Sequence, residues 1–480
     1  MQLLKSKFWI LVITLLFLAS NLFLVNRFGI YYLEYLPLVL LFITVLFTRL
    51  DILFFSISFL VPVSLSLTFL MPGMDFDMSI PSEPVIISMM LIFIGKSLME
   101  RTYDRAVLKH PVSIAIYVYL LWMFVTCFTS VDPVVSFKYF LSRFWFIAVF
   151  YFFGITMFSK FKNIKKYFWL YAASMVIVIA YTFARHIPVG LNNQQAANWA
   201  CQPFFNDHTA YGAALAMLFT FAVGSLFIDR KDDITRKMLR FGITALLLFA
   251  IIFSYTRATW LSLFVAAGVF VLMYFKIHFW KVFVVAVTVL ALFFSFRTEI
   301  YYALQKNNKG ASGDIQQHLQ SMTNVSTDDS NLERLNRWSC ALKMFEDKPF
   351  FGWGPGTYQF EYGAYQQAND ITSISTFAGD LGNAHSEYLG PLAEQGFMGT
   401  ICFILVLITS LYTGIMTYLR SEYRKARILA FAIVLGLVTY YAHGFLNNFL
   451  DSDKLSALFW PSIAMLVALN TYKMQKKTKK

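Results

Sequence analysis

The chain has 480 residues, of which 58% are hydrophobic and only 14% are charged, and its mean hydropathy is +0.59. Soluble globular proteins have roughly a quarter of their residues charged, so the composition excludes an ordinary soluble domain. The net charge of +13 does not indicate a nucleic-acid partner, because the Lys and Arg residues form short clusters between apolar runs. That distribution is typical of membrane topology.

Long apolar runs follow one another along the chain, and most approach the roughly 17–25 residues needed to cross a bilayer core. They are continuous rather than alternating, which predicts helices and excludes a β-barrel. The predicted helices span residues 8–25, 32–48, 51–70, 84–100, 112–129, 139–158, 167–184, 209–228, 240–256, 258–275, 278–296, 397–418, 427–445 and 456–473. No small-residue cleavage site follows the first run, which is predicted to stay as an anchor. Because the second and third can form one broken hairpin, the sequence predicts an all-α polytopic transmembrane helix bundle of 12–14 helices.

The basic residues predict the orientation. With the N-terminus in the cytoplasm, the inner segments hold 27 of the 40 Lys and Arg residues, and seven of the remainder lie in one long loop. This bias predicts that both termini are cytoplasmic. The chain then divides into N-terminal transmembrane helices (1–296), one large outer loop expected to be catalytic (297–396) and C-terminal transmembrane helices (397–480).

The outer loop is predicted to contain short helices. Ser330-Asn-Leu-Glu333 has the form of a capping box. Four apolar residues follow it at helical spacing: Leu335, Trp338, Leu342 and Phe345. They predict an amphipathic helix at the membrane interface. Phe351-Gly-Trp-Gly-Pro-Gly356 predicts turns with close backbone approach, and a second short helix is expected from Ser386 into the helix at 397.

His385 is the strongest candidate for a catalytic base. An imidazole has a pKa of about 6.5 and accepts a proton at neutral pH. His385 precedes the second short helix beside Gly- and Pro-rich turns, which suits a group held next to a substrate groove. Glu387 and Glu394 are the candidates to orient its ring, and Glu394 is equally suited to helix packing. A surface histidine without a role is the simpler alternative.

The other histidines on the predicted outer side are less suited to act as a base. His318 lies in a polar stretch with no predicted element. His186 and His208 share a loop that also carries an arginine, so they are better placed to orient a donor. His443 is expected to end a helix near Asp451 and to form an ion pair with it.

Several arginines lie near predicted outer helix ends, where an apolar surround requires an anionic partner. A guanidinium grips phosphate oxygens through two parallel hydrogen bonds, so phosphate is the functional alternative to a protein carboxylate. Arg257 is the strongest candidate and Arg185 the second. Arg143 is expected instead to snorkel to the interface. Arg334 and Arg337 flank the amphipathic helix and suit phosphate or lipid headgroups.

Two Asp-x-Asp pairs, Asp75/Asp77 and Asp451/Asp453, fall in predicted outer loops. Such pairs hold a divalent metal in some glycosyltransferases, but chance produces about this many in a chain with 27 acidic residues. The sequence has neither zinc-ligand spacing nor a phosphate-binding loop in a suitable place. Four cysteines are too few for a disulfide scaffold. We therefore expect no metal, nucleotide or other cofactor.

Several short motifs occur in a fixed order and on the same predicted side. They are Pro203-Phe-Phe-Asn-Asp-His208, Ser254-Tyr-Thr-Arg257, Arg334-Leu-Asn-Arg-Trp338, Lys348-Pro-Phe-Phe-Gly-Trp-Gly-Pro-Gly356, His385-Ser-Glu-Tyr-Leu389 and Glu394-Gln-Gly396. Together they resemble the O-antigen ligase and O-antigen polymerase superfamily of lipid-linked glycan transferases. Ser386 stands where Asn is common in that family.

The resemblance implies an enzyme of the bacterial inner membrane, whose donor is a glycan on undecaprenyl diphosphate at the periplasmic face. It implies that His385 activates the acceptor hydroxyl in an inverting, metal-independent glycosyl transfer. The diphosphate-binding residues would be Arg257, Arg185, Arg334 and Arg337, and the supporting residues Glu387, Glu394, Asn206 and His208. The partners would be the lipid-linked donor, a lipid A–core or other acceptor and membrane lipids, with no nucleic acid.

The leading interpretation is O-antigen ligation to lipid A–core, because a single large loop with the base matches that branch best. Polymerisation of repeat units and glycan transfer to protein share the architecture and stay open. A polysaccharide flippase is the non-enzyme alternative. Transporters carry charged or broken helices near the bilayer midplane, whereas the charges here lie at predicted helix ends.

Overall fold

The computed structural model describes residues 2–29, 31–74, 77–100, 104–228, 233–277, 329–366 and 382–472, and these are almost entirely helical. The helices are α1 (Gln2–Phe28), α2 (Leu36–Thr48), α3 (Leu50–Val63), α4 (Leu67–Leu70), α5 (Ser82–Glu100), α6 (Arg105–Leu108), α7 (Pro111–Phe128), α8 (Pro133–Phe146), α9 (Gly154–Phe158), α10 (Phe161–His186), α11 (Gln194–Ala200), α12 (His208–Ile228), α13 (Ile234–Phe253), α14 (Arg257–Tyr274), α15 (Asp329–Asp347), α16 (Tyr358–Glu361), α17 (Leu389–Arg420), α18 (Arg424–His443) and α19 (Asp453–Thr471). A π-helical stretch, Ile147–Phe153, joins α8 to α9. Two-residue strands β1 (Leu65–Ser66) and β2 (Ser79–Ile80) pair antiparallel.

Nine helical spans in the described residues are long and apolar enough to cross a membrane, and a tenth exists if the helices broken at Arg49 count as one span. This confirms the all-α polytopic fold. Three predicted helices fall outside that count. The apolar part of α1 that qualifies, Thr14–Phe28, is short, and α13 begins with a basic stretch around Arg236. The predicted helix 278–296 lies outside the described residues.

The chain divides into two compact units, Met1–Phe54 and Phe55–Lys480. In the first, an exposed ion pair at the start of α3 joins Arg49 Nε to Asp51 Oδ1 at 3.0 Å. In the second, α19 is the centre, because nearly all of its residues are buried and it packs against α9, α12, α17 and α18. Helix α12 lies close to α18 where Gly224 meets Ala432, and a Cβ at Gly224 would collide.

The outward face of the second unit is apolar. Along α17, Ile401, Leu405 and Ile408 are exposed at helical spacing. A continuous apolar face of this kind would be a liability in water but is the expected surface of a helix in contact with lipid. The exposed and buried sides of α17 therefore fit a helix at the rim of a transmembrane bundle.

One ion pair lies inside the second unit at the start of α19. Asp453 accepts hydrogen bonds from the hydroxyls of Ser64 (2.8 Å), Ser79 (3.1 Å) and Ser82 (2.5 Å). Lys454 Nζ lies 3.7 Å from Asp453 Oδ1 and donates to the Ser64 carbonyl at 2.8 Å. Buried charges are costly unless hydrogen bonds satisfy them, and here they come from several chain segments. Asp453, one half of a predicted Asp-x-Asp pair, is therefore bonded within the helix packing.

The predicted orientation can be tested on described, exposed residues, because the four native cysteines are free and buried. Glu346 lies near the end of α15, and Glu422 lies between α17 and α18. We expect Glu346→Cys to react with a membrane-impermeant maleimide in intact spheroplasts, and Glu422→Cys to react only after permeabilisation. Reversed labelling would show that the orientation predicted from the basic residues is wrong.

Candidate active site

Five chain segments converge at one end of the second unit, here called the His385 end. They are the starts of α12 and α14, the end of α18, helix α15 and the segment 382–388. Thr256 Oγ1 donates to the His208 carbonyl at 2.9 Å and so joins the starts of α14 and α12. Glu387 N donates to the Gly444 carbonyl at 2.8 Å, which joins the segment 382–388 to the end of α18. Helix α15 packs against α17.

The starts of α12 and α14 lie side by side. Asp207 caps α12, because its Oδ1 accepts from the backbone N–H groups of Thr209 (2.7 Å) and Ala210 (2.8 Å). Gly212 lies so close to the Thr256 side chain that a Cβ there would clash. Helix N-termini carry partial positive charge and unpaired N–H groups. The Asp207 carboxylate thus already compensates the α12 N-terminus. Thr256 makes no side-chain cap at the N-terminus of α14, so α14 provides the helix end that favours an anion.

Arg185, at the end of α10, is engaged by the chain around it. Its Nη1 donates to the carbonyls of Trp199 (3.3 Å) and Gln202. Its guanidinium carbon lies 4.8 Å from the centre of the Trp199 ring. The same turn includes a bond from Gln202 Nε2 to the Asn206 carbonyl at 2.9 Å. Arg185 therefore holds the turn after α11. Its predicted binding of the diphosphate would use N–H groups other than those of Nη1.

Arg257 is the first residue of α14 and is half-buried. The residue two before it, Tyr255, has φ of 51°, which is uncommon for a bulky side chain. The Tyr255 hydroxyl donates to the Leu191 carbonyl at 2.9 Å and holds this turn in place. The Ser-Tyr-Thr-Arg motif is thus a fixed turn that places an arginine at a helix N-terminus beside the start of α12.

His385 is half-buried and has φ of 47°, in the left-handed region. Its backbone N–H donates to Asn383 Oδ1 at 3.0 Å. Burial lowers the pKa of His385 to about 4, and the positive charges of Arg334 and Arg337 act in the same direction. The imidazole is therefore neutral at neutral pH and able to accept a proton. A strained backbone of this kind is often found at functional sites.

Arg337 joins α15 to the segment that carries His385. Its Nε donates to Glu333 Oε1 at 2.6 Å, and both side chains are buried. Its guanidinium carbon lies 4.2 Å from the centre of the Tyr362 ring, and Gly382 packs directly against the guanidinium. Arg334 lies on the same helix and is half-buried. The two arginines therefore place positive charge on one side of the segment 382–388.

One prediction about α15 needs correction. Ser330 is not an N-cap, because α15 begins at Asp329 and Ser330 lies inside its first turn; Glu333 pairs with an arginine one turn later. Of the predicted apolar stripe, Leu335 is 43% and Leu342 46% exposed, as expected for an amphipathic helix whose apolar face meets a membrane interface. The buried face consists of Glu333, Asn336, Arg337, Cys340, Ala341 and Met344. Small residues and an ion pair, rather than the large apolar residues, face the protein.

Glu387 fixes the connection between α18 and α19. Its Oε1 accepts from the Tyr440 hydroxyl at 2.7 Å and from the backbone N–H groups of Phe449 (2.8 Å) and Leu450 (2.9 Å). These bonds and the one from its own N–H to Gly444 occupy Glu387 on the α18 side. Its predicted role in orienting the imidazole of His385 stays a prediction.

Glu394 and the Gly-rich motif hold each other at a break in α17. Glu394 Oε1 accepts from Tyr358 N at 3.1 Å, and the Glu394 carbonyl accepts from Gly354 N at 2.7 Å. Gly352, with φ of 68°, packs directly on the backbone of Glu394. Gly396, also at φ of 68°, interrupts the helix. This confirms the predicted close backbone approach and the short helix that leads into the span.

Arg143 and His443 differ from their predictions. Arg143 is 4% exposed, so it does not snorkel to the interface; its Nη2 donates to the Tyr139 hydroxyl at 2.8 Å. His443 is buried, and its Nε2 lies 3.2 Å from Asn447 Nδ2 rather than in an ion pair with Asp451. Apolar neighbours in the sequence do not show which side of a helix faces the bundle, and that is why the burial of Arg143 was missed.

The fold and the site define a multi-pass, all-α membrane protein with its polar residues gathered at one end of the helices. Residues 242–404, about a third of the chain, match the family model described as O-antigen ligase. The matched segment includes Arg257, α15, His385 and Glu394, whereas Arg185, Asn206 and His208 precede it. The match supports the O-antigen ligase superfamily and a function of the lipid-linked glycan ligase or polymerase type.

An uncharacterized protein of Haemophilus influenzae is 24% identical to this chain over 157 residues. The similarity covers 32% of this chain and 38% of that protein. The matched region therefore spans well under half the length of this relative, and the name of this relative states no activity.

The close approach at Gly352 predicts a large cost for one added methyl group. In Gly352→Ala the Cβ would clash with the Glu394 backbone, and the left-handed φ adds strain, so we expect a loss of roughly 1–3 kcal/mol in stability. Gly242→Ala in α13 is the control, because open space surrounds it. It should be neutral or stabilising by up to about 1 kcal/mol. Equal melting temperatures of the two purified variants would contradict the packing described here.

Proposed function

We propose that this protein transfers a glycan from undecaprenyl diphosphate to an acceptor hydroxyl at the periplasmic face of the inner membrane, with lipid A–core as the acceptor. The observation that carries the proposal is a neutral imidazole, His385, held in a strained turn with Arg334 and Arg337 within electrostatic reach. The O-antigen ligase match over residues 242–404 supports the same class of reaction.

In the proposed reaction, a neutral ring nitrogen of His385 takes the proton of the acceptor hydroxyl. The acceptor oxygen then attacks the anomeric carbon of the donor glycan. The bond between that carbon and the diphosphate oxygen breaks, and the diphosphate leaves on the opposite face, which inverts the configuration. The imidazolium carries the proton at the end of the step. No external oxidant, nucleotide or metal is required by this balance.

The leaving diphosphate needs positive charge that is already in place. Arg257 is the first residue of α14, and the N-terminus of α14 has no side-chain cap and favours an anion. Arg334 lies on the α15 side of His385, and we propose that it acts on the same diphosphate. Arg337 is bonded to Glu333, so we assign it an electrostatic contribution rather than a direct grip.

Polymerisation or transfer to protein would use the same donor chemistry with a different acceptor. The distinguishing measurement is the lipid-linked glycan that accumulates when the gene is deleted. Accumulation of long chains that are not attached to lipid A–core supports ligation, and accumulation of single repeat units supports polymerisation. An acceptor protein that lacks its glycan supports transfer to protein.

The first prediction concerns the base. His385→Ala should insert normally, but its transfer rate should fall by roughly 10²–10⁴-fold, since this is the usual contribution of a positioned base. The control is His110→Gln, because His110 is the N-cap of α7 and its ring contacts Asn470 near the end of α19, away from the His385 end. Transfer is measured from purified lipid-linked donor with a chelator present. Near-normal turnover by His385→Ala would remove the base assignment, and loss of wild-type activity in chelator would support a metal requirement.

The second prediction concerns the donor diphosphate. Arg257→Lys keeps the charge but loses the two-pronged hydrogen bonding of a guanidinium, so activity should still fall at least about tenfold. Arg427→Lys is the matched control, because Arg427 lies near the start of α18, whereas the His385 end includes the other end of that helix. If Arg257→Ala folds and transfers at the wild-type rate, Arg257 is a structural residue and does not bind phosphate.

A further inference from the structure

A buried charge lies beside the proposed catalytic segment and has no part in the reaction described above. Arg143 on α8 is 4% exposed. Its Nη2 donates to a neutral group, the Tyr139 hydroxyl, and its Nη1 has no hydrogen-bond partner among the described residues. A guanidinium stays charged at physiological pH, and burying it is costly unless opposite charge compensates. Within the part of the chain that the structure describes, the compensation comes from charges at longer range.

Carboxylates from three separate segments lie within electrostatic reach of Arg143. They are Glu387 in the segment 382–388, Asp451 between α18 and α19, and Glu394 in the first turns of α17. The Tyr139 hydroxyl accepts from Arg143, and the Tyr440 hydroxyl donates to Glu387. One buried cation thus stands among three acidic residues that are far apart in sequence.

Asp451 is one of the groups on which this cation acts. It is exposed to solvent, but the surrounding protein and the negative charge of Glu387 raise its pKa to about 6, and the positive charge of Arg143 opposes both. Removing Arg143 would raise the pKa of Asp451 further.

The acidic residues near Arg143 hold the irregular parts of the site. Glu387 lies two residues after His385 and bonds the N–H groups of Phe449 and Leu450. Glu394 bonds Tyr358 N in the turn after the Gly-rich motif. Tyr139, whose hydroxyl accepts the hydrogen bond from Arg143, packs against Gly356 of that motif. The surroundings of Arg143 therefore include the segment 382–388, the Gly-rich motif and the α18–α19 connection.

We propose that Arg143 is a positioning residue: its buried charge holds the segment 382–388, the Gly-rich motif and the α18–α19 connection against one another without touching substrate. Its effect on transfer rests on the proposed function. Its effect on the loops does not, so the two can fail separately.

The first test measures the loops directly by hydrogen exchange of backbone amides. In Arg143→Met we expect the amides of Glu387, Phe449 and Leu450 to exchange at least about tenfold faster, because their acceptors are no longer held. Arg143→Lys keeps the charge and should stay close to wild type. Arg427→Met, at the other end of α18, is the control and should leave these amides unchanged. Unchanged exchange in folded Arg143→Met would overturn the proposal.

The second test separates positioning from diphosphate binding. We expect Arg143→Met to lower kcat about tenfold or more while the KM for the lipid-linked donor changes less than about twofold, because the base is displaced and the phosphate ligands are not. A large rise in donor KM with unchanged kcat would make Arg143 a phosphate ligand and overturn the positioning role. If wild type shows no transfer although the exchange result holds, only the proposed function fails.

A double-mutant cycle tests the charge compensation itself. Asp451→Asn removes one of the compensating carboxylates, so the double variant Arg143→Met/Asp451→Asn should lose less than the two single losses combined. If Arg143→Met does not fold, Arg143→Lys and Asp451→Asn replace it in the exchange experiment, where we expect faster exchange in Asp451→Asn. Strictly additive effects, or no change in Asp451→Asn, would contradict the proposed coupling.

Discussion

One carboxylate oxygen, Glu387 Oε1, determines whether the His385 end can have its irregular shape. It accepts three hydrogen bonds, and two of the donors are backbone amides of the α18–α19 connection. A buried amide without a partner costs about 1–3 kcal/mol, so this non-helical backbone is tolerable near the membrane because the carboxylate satisfies it. The N–H of Glu387 bonds the Gly444 carbonyl as well. The position of His385, two residues earlier, follows from these contacts.

The Gly-rich motif meets the same constraint in another way. The backbone of Gly352 and Gly354 lies directly on the broken turn of α17, where Gly354 N donates to the Glu394 carbonyl and Trp353 N donates to the Ala393 carbonyl at 3.1 Å. Carbonyls freed where the helix is interrupted at Gly396 are thus bonded by a second piece of irregular chain. A Cβ at Gly352 would collide with the backbone of Glu394, and one at Gly354 would collide with the Ser130 side chain.

The sequence was sufficient to predict most of the fold, because a helix that crosses a bilayer must be long and apolar, and that property is visible in composition alone. The glycines of the Gly-rich motif also predicted close packing of the backbone. Positive φ is a conformation that favours glycine, and Gly352 has it in the structure. Orientation around a helix axis was not visible. Arg143 was therefore misjudged, because its burial depends on which neighbour α8 meets. The ion pair on the buried face of α15 was not predicted either, because the apolar pattern of α15 shows its exposed face and not what the protein side holds. The carboxylates that surround Arg143 come from residues more than two hundred positions away.

The charges at the His385 end form two groups: Arg334 and Arg337 act on His385, whereas Glu387 and Asp451 act on Arg143. A base with a pKa of about 4 is always available at neutral pH but is weak. In the proposed reaction the donor brings the missing element, because a diphosphate near the arginines offsets their positive charge. The pKa of His385 then rises, because two of the causes that lowered it are offset, while burial, the largest cause, continues to hold it below its ordinary value. Donor binding would thereby strengthen the base only when an anomeric carbon is in place to be attacked, and this gives the arginines a second effect on the reaction beyond holding the leaving group.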